Sequence, residues 1–183
     1  MIKVFTGPMF SGKSTMLIET YNKIFNKNKC LCFKPSKDKR DYSRLYSRDM
    51  KETIPAIVIS DLSEIQKHIK EDTRTVFIDE VQFLSGDGSS LIDLSINKDI
   101  DIYIAGLSLT SELKPFGSMP NILAIADEVE HFKAYCYDCN KHNAVYTYCI
   151  VDKSEDILVG NSQYIPLCSD CYKKRNSVSV NKN

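Results

Sequence analysis

The stretch Gly7-Pro8-Met9-Phe10-Ser11-Gly12-Lys13-Ser14-Thr15 fits the phosphate-loop pattern G-x-x-x-x-G-K-[ST]. That pattern constrains the fold because it needs a strand before it and a helix after it. Both are present. The apolar run Ile2-Lys3-Val4-Phe5-Thr6 precedes the loop, and Met16, Leu17, Ile18, Tyr21, Ile24 and Phe25 recur with helical spacing after it. Glycines let such a loop curl so that successive N–H groups point inward, and the helix N-terminus adds partial positive charge. Gly7 to Thr15 would therefore wrap the phosphates, with Lys13 reaching the outer ones and the Ser14 hydroxyl ligating Mg²⁺. The plainer alternative is a glycine turn before an ordinary helix, and the strand–loop–helix context weighs against it.

The next segments extend this unit. Lys29-Cys30-Leu31-Cys32-Phe33-Lys34 reads as a short strand stopped by Pro35, which makes a parallel crossover and puts the glycine loop at the carboxyl edge of a sheet. Cys30 and Cys32 share one face of that strand and read as small packed residues. Ser36 to Arg44 is a dense mixed-charge run, a solvated loop by itself but placed at the same edge. Ile54 to Ile59 is a candidate strand, and Asp61 or Ser63 caps an expected helix through about Ile69. Thr75-Val76-Phe77-Ile78-Asp79-Glu80 is then a buried parallel strand that delivers two carboxylates to the active edge, where such an Asp helps to hold Mg²⁺. A short helix around Leu91 to Ile96, a strand at Asp101 to Ala105, a loop broken by Lys114-Pro115-Phe116-Gly117 and a last strand at Val129 to Lys133 complete this part. His131 on that strand reads as structural.

Beyond Ala134 the character changes. Cys136-x-x-Cys139 and Cys168-x-x-Cys171 bracket an alternating segment, the pattern of a Cys₄ zinc ribbon with an extended loop between its knuckles. A thioredoxin-like redox pair is the alternative, but the strand–helix context it needs is missing. Cys149 is left over. The expected architecture is an α/β phosphate-loop NTPase-like parallel sheet flanked by helices over residues 1–133. A zinc-binding lid domain follows over 134–175, then a flexible tail over 176–183. A formal net charge of zero gives no electrostatic case for binding nucleic acid or a membrane surface. The chain enters a strand at Ile2 and its cysteines read as thiols or metal ligands, so a cytoplasmic location is expected.

The phosphate loop, the string Ile78-Asp79-Glu80-Val81-Gln82-Phe83, the Lys114-Pro115-Phe116-Gly117 loop and the terminal cysteines together resemble the cytosolic, type II thymidine kinases in order and spacing. The resemblance implies transfer of the γ-phosphoryl of ATP to the 5′-hydroxyl of thymidine, with deoxyuridine a possible second substrate, in the salvage of DNA precursors. It implies Glu80 as general base and Asp79 as acidic partner of Mg²⁺, with Asp38 beside the metal and Arg40 beside the phosphates. Met9, Gln82, Phe83, Leu107, Phe116, Thr147 and Tyr164 match positions around the nucleoside. Glu155, Asp156, Ile157, Leu158 and Val159 match the part of the lid that holds the base through main-chain groups. A homotetramer is the usual assembly.

Some positions depart from the family pattern. Val81 stands for a usual Gly, Ser108-Leu109-Thr110-Ser111 replaces Asp-Gly-Thr-Phe, and Val159-Gly160 replaces Gly-Gly. These changes spare the chemistry but remove an aromatic wall of the nucleoside pocket at Ser111. Two rival classes follow from the residues. One is a nucleotide-driven switch or motor with a zinc ribbon, disfavoured by neutral charge and short length. The other is a zinc-ribbon binding module with a degenerate nucleotide site, disfavoured because every catalytic position is filled.

Overall fold

Strand β1 (Ile2–Thr6) alternates its side chains between two apolar layers: Val4 packs in one cluster and Phe5 in the other. The same alternation recurs in β6 (Thr75–Ile78), where Val76 and Ile78 face the first layer and Phe77 the second. In β7 (Asp101–Gly106), Ile102 and Ile104 face the first layer and Ala105 the second. A sheet apolar on both faces must be covered on both, which is the condition for parallel strands linked by crossovers. These strands are joined by β2 (Cys30–Pro35), β5 (Ile57–Ile59) and β8 (Glu128–His131) in one parallel sheet of order β5-β2-β6-β7-β1-β8.

The computed structural model describes residues 1–38, 43–46, 53–151 and 163–180. Helices α2 (Ser89–Asn97) and α3 (Met119–Ile125) cover the first layer through Leu91, Leu94, Met119 and Ile122. Helix α1 (Lys13–Lys23) covers the second through Leu17 and Ile18, beside a two-stranded sheet of β3 (Arg44–Tyr46) and β4 (Thr53–Pro55). Each fully buried aliphatic or aromatic side chain of this kind contributes about 1.5–3 kcal/mol. Aromatic rings run across the second face: Phe77 stacks on Tyr103 at 5.3 Å between centroids, and Tyr21 of α1 meets the edge of Phe77 at 5.6 Å. A third apolar cluster, distinct from these, gathers Ala134, Cys136, Ala144, Ile165, Leu167, Cys168, Cys171 and Tyr172. It is built on the antiparallel pair β9 (Tyr146–Cys149) and β10 (Tyr164–Leu167) and on α4 (Ser169–Val180). No helix among the described residues is long and apolar enough to cross a membrane.

Four local expectations are corrected. The expected strand at Ile54 to Ile59 is two strands in two different sheets, parted at Ala56, whose N–H bonds to the Ser43 carbonyl. Pro55 has no N–H to continue a ladder, so the chain changes partner there. The expected helical face of α1 stops before Phe25: Ile24 is extended, its N–H closes the last turn on Tyr21, and Phe25 stands fully exposed. The expected helix near Ile69 is a 3₁₀ segment, Leu62–His68, and Asp61 caps it with a reciprocal bond from Glu64. The chain expected to fray from Asn176 continues as α4 to Val180, and the Ser177 hydroxyl bonds back to the Lys173 carbonyl.

A buried charge marks the end of β2. Lys34 is 1% exposed, and its ammonium lies 3.0 Å from the Asp38 carboxylate while donating to the Arg44 carbonyl at 3.2 Å. Breaking a buried pair by removing one partner typically costs about 3–5 kcal/mol, because the other charge stays behind. Lys34→Met is expected to lower the unfolding free energy by about 3 kcal/mol in denaturant titration. A loss below about 1 kcal/mol would show that other neighbours hold the Asp38 charge.

Candidate active site

The loop after β1 takes the conformation its glycines permit. Gly7 sits at φ 152° and a Cβ there would lie 2.5 Å from the Phe132 carbonyl oxygen, so only glycine fits between the loop and the end of β8. Gly12, at φ 85°, precedes α1 and accepts the first helical bond, from Met16 N–H. Within the loop the Ser11 hydroxyl donates to the Pro8 carbonyl at 2.8 Å. Lys13 folds across it, its ammonium 2.7 Å from the Pro8 carbonyl and 3.4 Å from the Ser11 hydroxyl. The cation is thus held over the cradle it would serve.

The acid pair after β6 meets this loop. The Ser14 hydroxyl lies 2.9 and 3.1 Å from the two oxygens of Asp79, which is 2% exposed. Asp79 also accepts the N–H of Glu80 at 3.0 Å. Glu80 is left-handed at φ 52°, a backbone state that typically costs a non-glycine residue about 1–3 kcal/mol and tends to mark functional positions. The turn lets neighbouring carboxylates point different ways: Asp79 toward Ser14, and Glu80 toward Gln82, whose amide nitrogen donates to its Oε2 at 2.6 Å. Gln82 in turn accepts the Leu107 N–H at 3.0 Å. Ser14 and Asp79 form an oxygen-only donor set of the kind hard divalent cations take.

Around this point, Phe83 and Phe116 meet edge to face at 5.3 Å, and Leu107 is nearly buried. The Met9 N–H donates to the Thr147 hydroxyl at 2.9 Å, tying the phosphate loop to β9. The Tyr172 hydroxyl donates to the Ser111 carbonyl at 3.0 Å, tying α4 to the loop before Phe116. Tyr164 pairs with Cys149 across the β9–β10 ladder, and burial, with the Cys149 sulfur nearby, pushes its phenol above the usual range. Arg40 and Glu155 to Val159 lie outside the described residues. Two contributors were missed in the sequence: Lys34, whose only signal was a lysine inside an apolar strand four positions before Asp38, and Tyr172, next to a cysteine of the terminal cluster.

The four cysteines come together. Ligand sulfurs of Cys136, Cys139, Cys168 and Cys171 all lie within 4.8 Å of one another, and Cys139 Sγ is 3.9 Å from Cys168 Sγ. Zn–S bonds of 2.3 Å set tetrahedral edges of about 3.8 Å, so the sulfurs fit a Cys₄ zinc site. Burial alone would raise the Cys136 thiol, but N–H groups of Cys168, Cys139 and Asp138 point at its sulfur and bring it down to about 6. Hydrogen bonding with Cys168, then burial, pushes Cys171 the other way, to about 12. Ionising all four sulfurs at this spacing would need a cation among them. Arg175 pins α4 to the first knuckle through both oxygens of Asp138, which it holds below the usual carboxylate range, and lies over the rings of Tyr148 and Tyr137.

Comparison with known proteins agrees with this geometry. The family described as thymidine kinase matches residues 1–172. The chain is 35% identical to a thymidine kinase of Pseudothermotoga lettingae over 181 residues, which cover 94% of this chain and 95% of the relative. It is 37% identical to a thymidine kinase of Mycoplasma mobile over 175 residues, covering 94% and 86%. Against a thymidine kinase of Onion yellows phytoplasma the identity is 39% over 173 residues, covering 89% and 81%.

The cysteine geometry carries its own test. Protein purified without chelator is expected to hold one zinc per chain, and Cys168→Ser to lose it. Structural zinc in small peptides binds with about 10–16 kcal/mol, much of it folding energy. Removal is therefore expected to loosen the cluster around Leu167 and Tyr172 and to raise the KM for thymidine before that for ATP. Fully active protein with less than half an equivalent of zinc would refute the site.

Proposed function

The chain belongs to the thymidine kinase family, and on that premise we propose that it transfers the γ-phosphoryl of ATP to the 5′-hydroxyl of thymidine, with Glu80 accepting the hydroxyl proton. The observation that carries this reading is the Ser14–Asp79 contact, which brings the phosphate loop and the acid pair to one point. A sugar hydroxyl is a poor nucleophile at neutral pH, and phosphoryl transfer needs chiefly alignment and charge neutralisation.

In this reading the backbone of Gly7 to Thr15 holds the phosphates, and Lys13 leaves the Pro8 carbonyl to neutralise the outer ones. Ser14, Asp79 and Asp38 would hold Mg²⁺, which would supply charge neutralisation to the phosphates. The buried Lys34 keeps the Asp38 carboxylate in place, and Arg40 serves the phosphates. The 5′-oxygen attacks the γ-phosphorus as the bond to the β-phosphate oxygen breaks, giving ADP and thymidine monophosphate. Glu80 takes the proton. Met9, Phe83, Leu107, Phe116, Thr147 and Tyr164 form the nucleoside pocket. Glu155 to Val159 would serve the nucleoside, as the resemblance implies, within the zinc-binding module of residues 134–175. Ser111 brings a small side chain where relatives of this type carry Phe, which leaves room at the base, and deoxyuridine is a second substrate. The enzyme works as a cytoplasmic homotetramer in the salvage of DNA precursors, without nucleic-acid or membrane partners.

Glu80→Gln keeps the shape and removes the base. Turnover is expected to fall at least about a hundredfold with ATP affinity nearly unchanged, since general-base terms are worth about 10²–10⁴ in rate. A variant that keeps more than about a tenth of wild-type turnover, with chemistry rate-limiting, would sink the assignment.

A further inference from the structure

Gln82 matches a nucleoside position by resemblance, yet its amide is engaged at both ends by protein. It is 3% exposed, its Oε1 accepts the Leu107 N–H at 3.0 Å, and its Nε2 donates to Glu80 Oε2 at 2.6 Å. The first bond fixes the second. A backbone N–H is only a donor, so the carbonyl end of Gln82 must face Leu107 and the NH₂ end must face Glu80. Room for the amide is built in: a Cβ on Gly106 would come within 2.9 Å of Gln82 Oε1 and 2.8 Å of Met119 Sδ.

What this does for Glu80 follows from its side-chain torsions. A glutamate has three rotatable side-chain bonds, and its strained backbone at φ 52° fixes where the side chain starts but not where the carboxylate ends. An ionised carboxylate only accepts hydrogen bonds. A rigid donor anchored to the end of β7 therefore selects one carboxylate position. We propose that Gln82 is a positioning residue for Glu80, anchored on Leu107, and that it acts in turnover rather than in holding the nucleoside. The proposal rests on the reading of Glu80 as the base.

Two variants test it. Gln82→Met keeps the volume and removes the donor. Gln82→Leu removes the same donor with a different side-chain shape, and serves if the first does not fold. Each is expected to lower kcat about tenfold to a hundredfold, the range of a hydrogen bond to a charged group, while the thymidine KM stays within about threefold. In a Glu80→Gln background, Gln82→Met is expected to change kcat by less than about twofold, because the residues act as a unit. A tenfold rise in thymidine KM with kcat retained would overturn the proposal in favour of a nucleoside contact. An equal loss in both backgrounds would overturn it in favour of an independent structural role. Either outcome leaves the base assignment standing if Glu80→Gln alone is inactive. Normal turnover in Glu80→Gln removes both.

Discussion

The functional centre depends on the hydrogen bonds between the Ser14 hydroxyl and the Asp79 carboxylate, which join positions 65 residues apart. Without that contact the phosphate loop and the acid strand are separate features of one sheet edge. With it, a single buried carboxylate holds the first turn of α1 and, through the N–H of Glu80, the backbone of the proposed base. The sheet makes the contact possible because β1 and β6 run parallel and both end at the edge where α/β folds gather ligands. Apolar residues on both faces of those strands keep that edge fixed, so the polar site stands on a rigid core.

The C-terminal cluster is joined to this centre by direct bonds. Thr147 on β9 takes the N–H of Met9 in the phosphate loop, and Tyr172 on α4 bonds to the carbonyl of Ser111, ahead of Phe116. Tyr172 adjoins Cys171, and Thr147 pairs with Pro166 two positions before Cys168, so both struts start from the cysteine-bearing module. At Ser111 the resemblance led us to expect a missing aromatic wall. The backbone carbonyl at that position is bonded by the Tyr172 hydroxyl.

Local rules made much of this legible. The phosphate loop, the acid pair and the paired cysteines are short strings whose chemistry needs those residues adjacent, so spacing alone brings them out. The two-sided strands were equally readable, since Val76, Phe77 and Ile78 of β6 form an unbroken apolar run. What stayed hidden depends on partners distant in sequence. Pro55 looked like part of one strand until the ladder showed it dividing two sheets. Phe25 continued a helical period that the backbone abandons at Ile24. Lys34 looked like a strand-end lysine, and only the packed fold shows it buried against Asp38. Gln82 was assigned to the nucleoside by resemblance, and its bonds to Leu107 and Glu80 appear only once β7 lies beside β6.

In the proposed mechanism one site transfers a phosphoryl group directly from ATP to the thymidine 5′-oxygen, with Glu80 as base and no enzyme-bound phosphate. The stereochemistry at phosphorus tests this most directly. With ATP made chiral at the γ-phosphorus by oxygen isotopes and thymidine as acceptor, a single in-line displacement gives thymidine 5′-monophosphate of inverted configuration. Retention would mean two displacements through a phosphorylated side chain, and would contradict the role given to Glu80.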